Sequence, residues 1–428
     1  PPMQPVTIRL PSSWIRTLAG VLFFLVPAQV GLAQSAALPS GALPSGGRVQ
    51  AGHATISSGG GPMRIDQSSD RAVIDWQGFS VGRGGSVTFA MPGTGSAVLN
   101  RVSGHETSVI AGTVAGNGQV YLVNPNGIAI TSDGAVRVVG GFVASTLDVA
   151  ESDFMARRLK FSGRSGAVVS NDGTISAGPG GFVGLLSNAG IDNAGTIMVP
   201  AGRVALGTGS AITLDPSGAG FMQILAPSTA PDGGTFRSGG VIRARGGRVE
   251  VRATSARKAV RDLVNLSGEV QVSSVRRDGG AIVLDGGGGG VRVSGQVKAS
   301  SKHGRGGKVR IGGREIALSG ARIEAEGSSG GQILVGGGRQ GGAVPYLTTA
   351  DAVLIDRDTV ISASGSQDRG GEVTIWSDHN TQFLGRIAAT GHTGMPRFPA
   401  MAPSTSTAWS ICFRAMARRA TCCWILMT

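Results

Sequence analysis

Short runs of β-branched and aliphatic residues recur along this chain, each opened by a glycine. That spacing limits the fold more than any other feature. Gly-Thr-Ile occurs at Gly173-Thr174-Ile175 and again at Gly195-Thr196-Ile197. A partner pattern, glycine then any residue then Val or Ile, appears at Gly181-Phe182-Val183, Gly202-Arg203-Val204, Gly247-Arg248-Val249 and Gly280-Ala281-Ile282. It continues at Gly307-Lys308-Val309, Gly331-Gln332-Ile333 and Gly371-Glu372-Val373. Several steps are about 22 to 27 residues, within the range of solenoid repeats. One such unit cannot bury its apolar side chains alone. Stacked units can, with each short strand pairing in parallel with the coil below. The glycines are expected to supply positive φ at the coil corners. The pattern predicts an all-β solenoid. A β-sandwich array, the runner-up, would want hairpin loops and more aromatic core residues than the 5% present.

Composition agrees. Glycine is extreme, with 72 among 428 residues. Glycine enrichment without a collagen period usually signals disorder. Here 41% of residues are hydrophobic, and they sit in short Val/Ile/Leu runs between the glycines. Helical periodicity is nearly absent after residue 35, and only 149–159 reads as a short helix. Formal net charge is +13 and falls to +7 once Arg9, Arg16, Arg397, Arg414, Arg418 and Arg419 of the two ends are set aside. That excess permits weak attraction to anionic glycans. No basic cluster is interleaved with aromatics, so nucleic acid is not expected as a partner. All three cysteines, Cys412, Cys422 and Cys423, lie in the tail. A body without cysteine suits a chain that must thread a pore, where a disulfide would lock a loop.

Residues 1–33 read as a signal peptide. Arg9 and Arg16 give a positive start, 18–26 is an apolar run too short to span a bilayer, and Gly31-Leu32-Ala33 offers small residues to signal peptidase. Cleavage is expected between Ala33 and Gln34. The chain starts at Pro1, so the start codon is expected at Met3 or the sequence is a fragment. A linker covers 34–47, a strand-and-turn region 48–193 and the glycine repeats 194–394. From 395 to 428 the repeat stops and cysteines appear, a change expected of an out-of-frame or disordered tail.

Within the strand-and-turn region, Asn124-Pro125-Asn126-Gly127-Ile128 stands between apolar residues 120–123 and 128–130. Pro125 presets φ at the first central turn position, Asn126 suits the second and Gly127 the exit. Asn124 can hydrogen-bond its own backbone two residues on. Upstream lie Asp75-Trp76-Gln77-Gly78-Phe79-Ser80-Val81 and Val98-Leu99-Asn100-Arg101-Val102-Ser103-Gly104. Downstream lies Gly140-Gly141-Phe142-Val143-Ala144-Ser145-Thr146.

In this order and spacing the motifs resemble the N-terminal secretion domain of two-partner secretion exoproteins, the filamentous haemagglutinin family, over residues 47–193. Many members carry a second Asn-Pro-Asn motif; here Asn-Pro occurs once. The resemblance implies a right-handed parallel β-helix, passage through a dedicated outer-membrane transporter, and a secreted or cell-surface location. It assigns Asn124, Pro125, Asn126, Gly127 and Ile128 to the secretion domain, as a folding staple or a transporter contact. The expected function is a non-enzymatic, monomeric adhesin that meets host or surface glycans or proteins.

Two rivals remain: the export and stalk portion of a contact-dependent toxin, and a β-helical carbohydrate-active enzyme. The first needs a C-terminal toxin module; the second needs Asp, Lys or Arg clustered on one solenoid face. No HExxH, CxxC pair or GxxxxGK[ST] occurs. No catalytic residue, metal or cofactor is expected. His379 beside Asp378 has no recognisable nucleophile. Asp66, Asp70 and Asp75 read as turn residues at strand ends, and Gly286 to Gly290 as a corner rather than a phosphate cradle.

Overall fold

The computed structural model describes residues 38–392 apart from 60, 217–220, 232, 257–261 and 276–278, together with two strands, Ser410–Met416 and Arg419–Cys423. The expected signal peptide and its cleavage site at Ala33 and Gln34 lie outside the described residues.

Each coil contributes up to three short strands to three long sheets. In one coil, Gln119–Val123 joins a 14-stranded sheet, Ile128–Ile130 a 10-stranded sheet and Ala135–Val138 a 13-stranded sheet. Every one pairs in parallel with the same element of the coils on either side. The register keeps side chains in columns. Ile128 pairs with Val169, Val169 with Ile191, Ile191 with Phe236 and Phe236 with Val264. Alternation along each strand turns one set inward. In Ala135–Val138, Val136 and Val138 are buried while Arg137 is exposed. One apolar core therefore runs unbroken from Met63 to Ile375. This is a parallel β-helix.

Positive φ occurs, as expected, at glycines such as Gly180 and Gly246, but the glycines that open the repeats serve a different purpose. Gly173, Gly195, Gly240, Gly268 and Gly295 form a column at one corner, and none has positive φ. A Cβ at any of them would lie 2.0 to 2.3 Å from a carbonyl oxygen of the preceding coil. Gly202, Gly247, Gly280, Gly307, Gly331 and Gly371 form a second column with equal crowding. Close backbone approach, not φ, excludes a side chain there. Positive φ does operate at Gly127, at +107°.

The first pairings differ from the rest. Arg48–Ala51 runs antiparallel to Arg71–Trp76, and Ala54–Ser57 antiparallel to Met63–Gln67. These strands close the starting end of two sheets, whose edges would otherwise be free to pair. At the far end, Ser410–Met416 lies antiparallel to Glu372–Trp376 and forms a hairpin with Arg419–Cys423.

A small antiparallel sheet lies outside the helix. Its strands are Asp148–Val149, Leu159–Ser162, Ala211–Leu214 and Met222–Ala226. The predicted helix over 149–159 is shorter, Glu151–Met155, because Val149 and Leu159 are taken into these strands. This flap covers the outward side of the 14-stranded sheet. A second apolar core fills the space, including Leu99, Tyr121, Val143 and Phe182 of the sheet and Phe154, Phe161, Ile212 and Phe221 of the flap. That is why strands such as Gly141–Ser145 are buried on both faces.

Candidate functional site

The corner at residues 124–127 connects the 14-stranded and 10-stranded sheets. Gly127 N–H closes the turn onto Asn124 O at 3.1 Å. Asn124 Oδ1 accepts the Asn126 N–H at 2.9 Å, the local bond expected from sequence. Asn126 Nδ2 also donates to Asn124 Oδ1 at 3.1 Å, and the other bonds leave the turn. Asn124 is fully buried, and its Nδ2 donates to Glu106 O and Ser108 Oγ, both at 2.9 Å. Asn126 Nδ2 reaches Gly104 O at 2.8 Å, and Thr107 Oγ1 donates to Asn126 O at 2.8 Å. From the following coil, Ser165 Oγ donates to Pro125 O. Asn124 N–H donates to Ser145 O at 2.9 Å. The motif therefore ties its own coil to both neighbours. Ile128 is buried in the main core and Pro125 alone is exposed.

The other motifs of the resemblance meet on adjacent strands. Trp76 Nε1 donates to Asn100 Oδ1 at 3.0 Å, and Asn100 Nδ2 to Tyr121 O at 3.2 Å. Asp75 pairs in register with Arg101, whose Nε and Nη2 bind its carboxylate at 2.9 and 3.2 Å. Buried Asn100 thus satisfies both its amide ends within a three-strand stack. Burial lifts the Tyr121 phenol above its ordinary range, so it stays neutral in the flap core.

Asn188 was not singled out by its sequence. It is buried two coils further on, its Nδ2 on Ser165 O at 3.1 Å and its Oδ1 accepting the Thr229 N–H at 3.0 Å. The available signal was an asparagine just past the end of an apolar strand with a glycine shortly after it, Gly190 here and Gly127 after Asn124.

The carboxylates considered from sequence do not converge. Asp66 and Asp75 lie within strands rather than at turns, and Asp70 lies in a bend. Each has its own arginine: Arg64 at 2.8 Å, Arg157 at 2.7 Å and Arg101 at 2.9 Å. Asp378 accepts the Trp376 indole N–H, and His379 faces Asp351 at 3.8 Å. Gly78-Phe79-Ser80-Val81-Gly82 spells G-x-S-x-G, which in hydrolases marks a strand-to-helix elbow. Here Ser80 Oγ instead accepts the Val109 N–H at 3.0 Å, and no helix follows. Gly286 and Gly287 turn the chain, with Gly287 N–H on Asp285 Oδ1 at 3.2 Å. Among the described residues no group of His, Cys, Asp and Glu could hold a metal ion, and no helix is long and apolar enough to cross a membrane.

Fold and corner together define a capped parallel β-helix with an extrahelical flap, its N-terminal coils cross-tied by buried asparagines. The family profile of the TPS (two-partner secretion) secretion domain matches residues 38–299, and the chain belongs to that family. The fold is similar to that of the secretion domain of HMW1 from Haemophilus influenzae, with a TM-score of 0.71 at 30% identity, covering 81% of this chain and 91% of that one. A heme/hemopexin-binding protein of Haemophilus influenzae strain Rd is 42% identical over 101 residues. A second Haemophilus influenzae protein of the same description is 40% identical over 103 residues. Each match covers 24% of this chain and 11% of the relative, so the aligned part is a small share of those proteins. Proteins that carry this domain are exoproteins secreted across the outer membrane.

Proposed function

We propose that this chain is the export module and first stalk coils of a secreted adhesin, carried out by an outer-membrane two-partner transporter. Residues 48–193 hold the folding staple, and the glycine-repeat coils after 194 extend the stalk. The observation that carries this reading is the corner at 124–128. Its side-chain bonds run between coils, so it locks the first coils as they stack. The transporter is the natural partner of an unfolded chain that forms this lock only after emerging. The stalk then presents surface loops to glycans or proteins. Heme or hemopexin binding is not carried over, because the shared stretch is so small a part of those relatives.

Co-expression with a two-partner transporter in a Gram-negative host tests the export half. The full chain is expected in the medium or on the cell surface only when the transporter is present. A chain lacking residues 1–33 is expected to stay in the cytoplasm. Equal export without the transporter would remove the partner from the reading. Cells displaying the chain are expected to adhere to glycan-coated surfaces above transporter-only cells, and equal adherence would contradict the adhesin half.

A further inference from the structure

The corner between Gln332–Val335 and Ala352–Ile355 is unlike its neighbours. One coil earlier Gly313-Arg314 alone joins the same two sheets, whereas here residues 336–351 do so. This strap lies on the outward side of the 14-stranded sheet, beyond the flap, and touches four other coils. Leu347 fills the space that a side chain at Gly312 would need, and Gly313 N–H donates to Thr348 O at 3.2 Å. One coil further back, Thr348 N–H donates to Asp285 Oδ1 at 3.4 Å. One coil further again, Arg252 Nη1 donates to Tyr346 O, and its guanidinium stands 5.9 Å from the Tyr346 ring centre. In the other direction the Trp376 ring lies against Gly337 and Gly341, where a Cβ would meet it at 3.1 and 2.9 Å. One segment thus binds five consecutive strands of the sheet, from Arg248–Ala253 to Glu372–Trp376.

Beneath the strap lies a buried charge relay. Glu250 is fully buried between Arg248 and Arg252, and Asp285 meets Arg252 at 3.4 Å. On one side Glu250 Oε1 accepts the Phe221 N–H of the flap at 3.3 Å. On the other, Arg252 and Asp285 each take a partner from the strap backbone, 94 and 63 residues downstream. Buried charges are costly unless their donors and acceptors are met. The coils from Arg248 to Gly312 precede the strap in the chain, yet their charges gain these partners only when it closes. Closure itself holds Gln340 and Tyr346 at φ of +54° and +61°, a left-handed state uncommon outside glycine. Such strain persists where surrounding contacts over-determine it.

We propose that residues 336–351 are a clasp, a strap that closes over finished coils, completes their buried charges and makes five coils open as one unit. In a plain solenoid each coil leans on its neighbours alone. The clasp reaches three coils back, so a coil beneath it cannot open without breaking contacts that hold the others. The relay from Phe221 to Tyr346 also joins the strap to the flap. A stalk pulled from its far end must release the clasp before the coils beneath it unwind. The clasp lies apart from the 124–128 corner and is measured on purified protein, so it stands or falls independently of the export reading.

Amide hydrogen exchange of the purified full chain tests it, with residues 338–348 replaced by a Gly-Gly link and, separately, with Leu347→Ala. The excised chain is expected to keep wild-type protection in Gln119–Val123 and Gly141–Ser145. Exchange in Arg248–Ala253, Ala281–Asp285 and Lys308–Gly312 is expected to rise together by about tenfold or more. Leu347→Ala leaves the chain continuous and is expected to raise exchange in the same three strands by a smaller factor. A rise confined to Gln332–Val335 and Glu372–Trp376, the strands beside the excision, would show that the strap serves its own corner and would overturn the clasp. Unchanged exchange in all five strands would overturn it too. Should the excised chain fail to fold, Leu347→Ala decides alone: a rise in Lys308–Gly312 without one in Arg248–Ala253 would contradict the proposal.

Discussion

Phe154→Ala is expected to destabilise the N-terminal coils by about 3 to 5 kcal/mol, the range for emptying a buried aromatic site. Phe154 is fully buried at the centre of the flap core. Its ring meets Tyr121 edge-on at 5.2 Å, and the Arg71 guanidinium lies 4.1 Å from its centre. It therefore joins a helix after the fifth strand of the long sheet to strands laid down earlier, Arg71–Trp76 and Gln119–Val123. Water admitted beside Arg71, whose burial lowers its pKa, offsets only part of the loss. In a plain solenoid each coil depends on its neighbours alone. The flap adds contacts across several coils at once, from Val73 to Ala205. Amide hydrogen exchange in the variant should rise together in Arg71–Trp76, Ala97–Val102 and Gln119–Val123. Coils from Ala281–Asp285 onward should keep their protection. Loss confined to the helix itself, or below about 1 kcal/mol, would mean that the flap is an ornament rather than a clamp.

Gly268→Ala is the second large effect, expected near the upper end of the 1 to 3 kcal/mol typical of overpacking, about 3 kcal/mol. A Cβ there would sit 2.1 Å from Gly240 O and 2.6 Å from Gly239 C. Both obstacles are backbone, so no rotamer change relieves them. Nor can the coil retreat, because Gly295 rests equally tightly on Gly268 O. Gly288→Ala is the control, since nothing lies within 4 Å of its would-be Cβ. It is expected to change stability by less than about 0.5 kcal/mol. Similar melting of the two variants would refute crowding as the reason for the glycine columns.

The parallel β-helix was legible because its period shows twice. Inward residues alternate along each strand, as in Ala135–Val138, and glycines recur once per coil. The physical role of those glycines was not legible. A sequence cannot distinguish a corner that needs positive φ from one that leaves no space, and both select glycine. The flap was hidden for a related reason. Leu99, Tyr121 and Val143 read as parts of short apolar strands, and nothing marks their outward side chains as covered. Phe154 lay in a segment, 149–159, that resembled an isolated short helix. At the corner, the local bond from Asn126 N–H to Asn124 was foreseeable from spacing. The bonds to Gly104, Glu106 and Ser108 were not, because they depend on how the coils stack.

Those bonds raise the stakes at Asn124. Its loss strands the half-buried Asn126 N–H and leaves the buried Ser108 Oγ without this donor, at about 1 to 3 kcal/mol. The most direct test is a paired measurement on Asn124→Ala: secretion through a co-expressed transporter, and melting of the purified chain. A folding staple requires both to fall together, with melting lower by several degrees and less protein outside the cell. Wild-type melting with lost secretion would make the corner a transporter contact instead. Normal secretion and unchanged melting, in both Asn124→Ala and Asn126→Ala, would contradict any role for the corner in export.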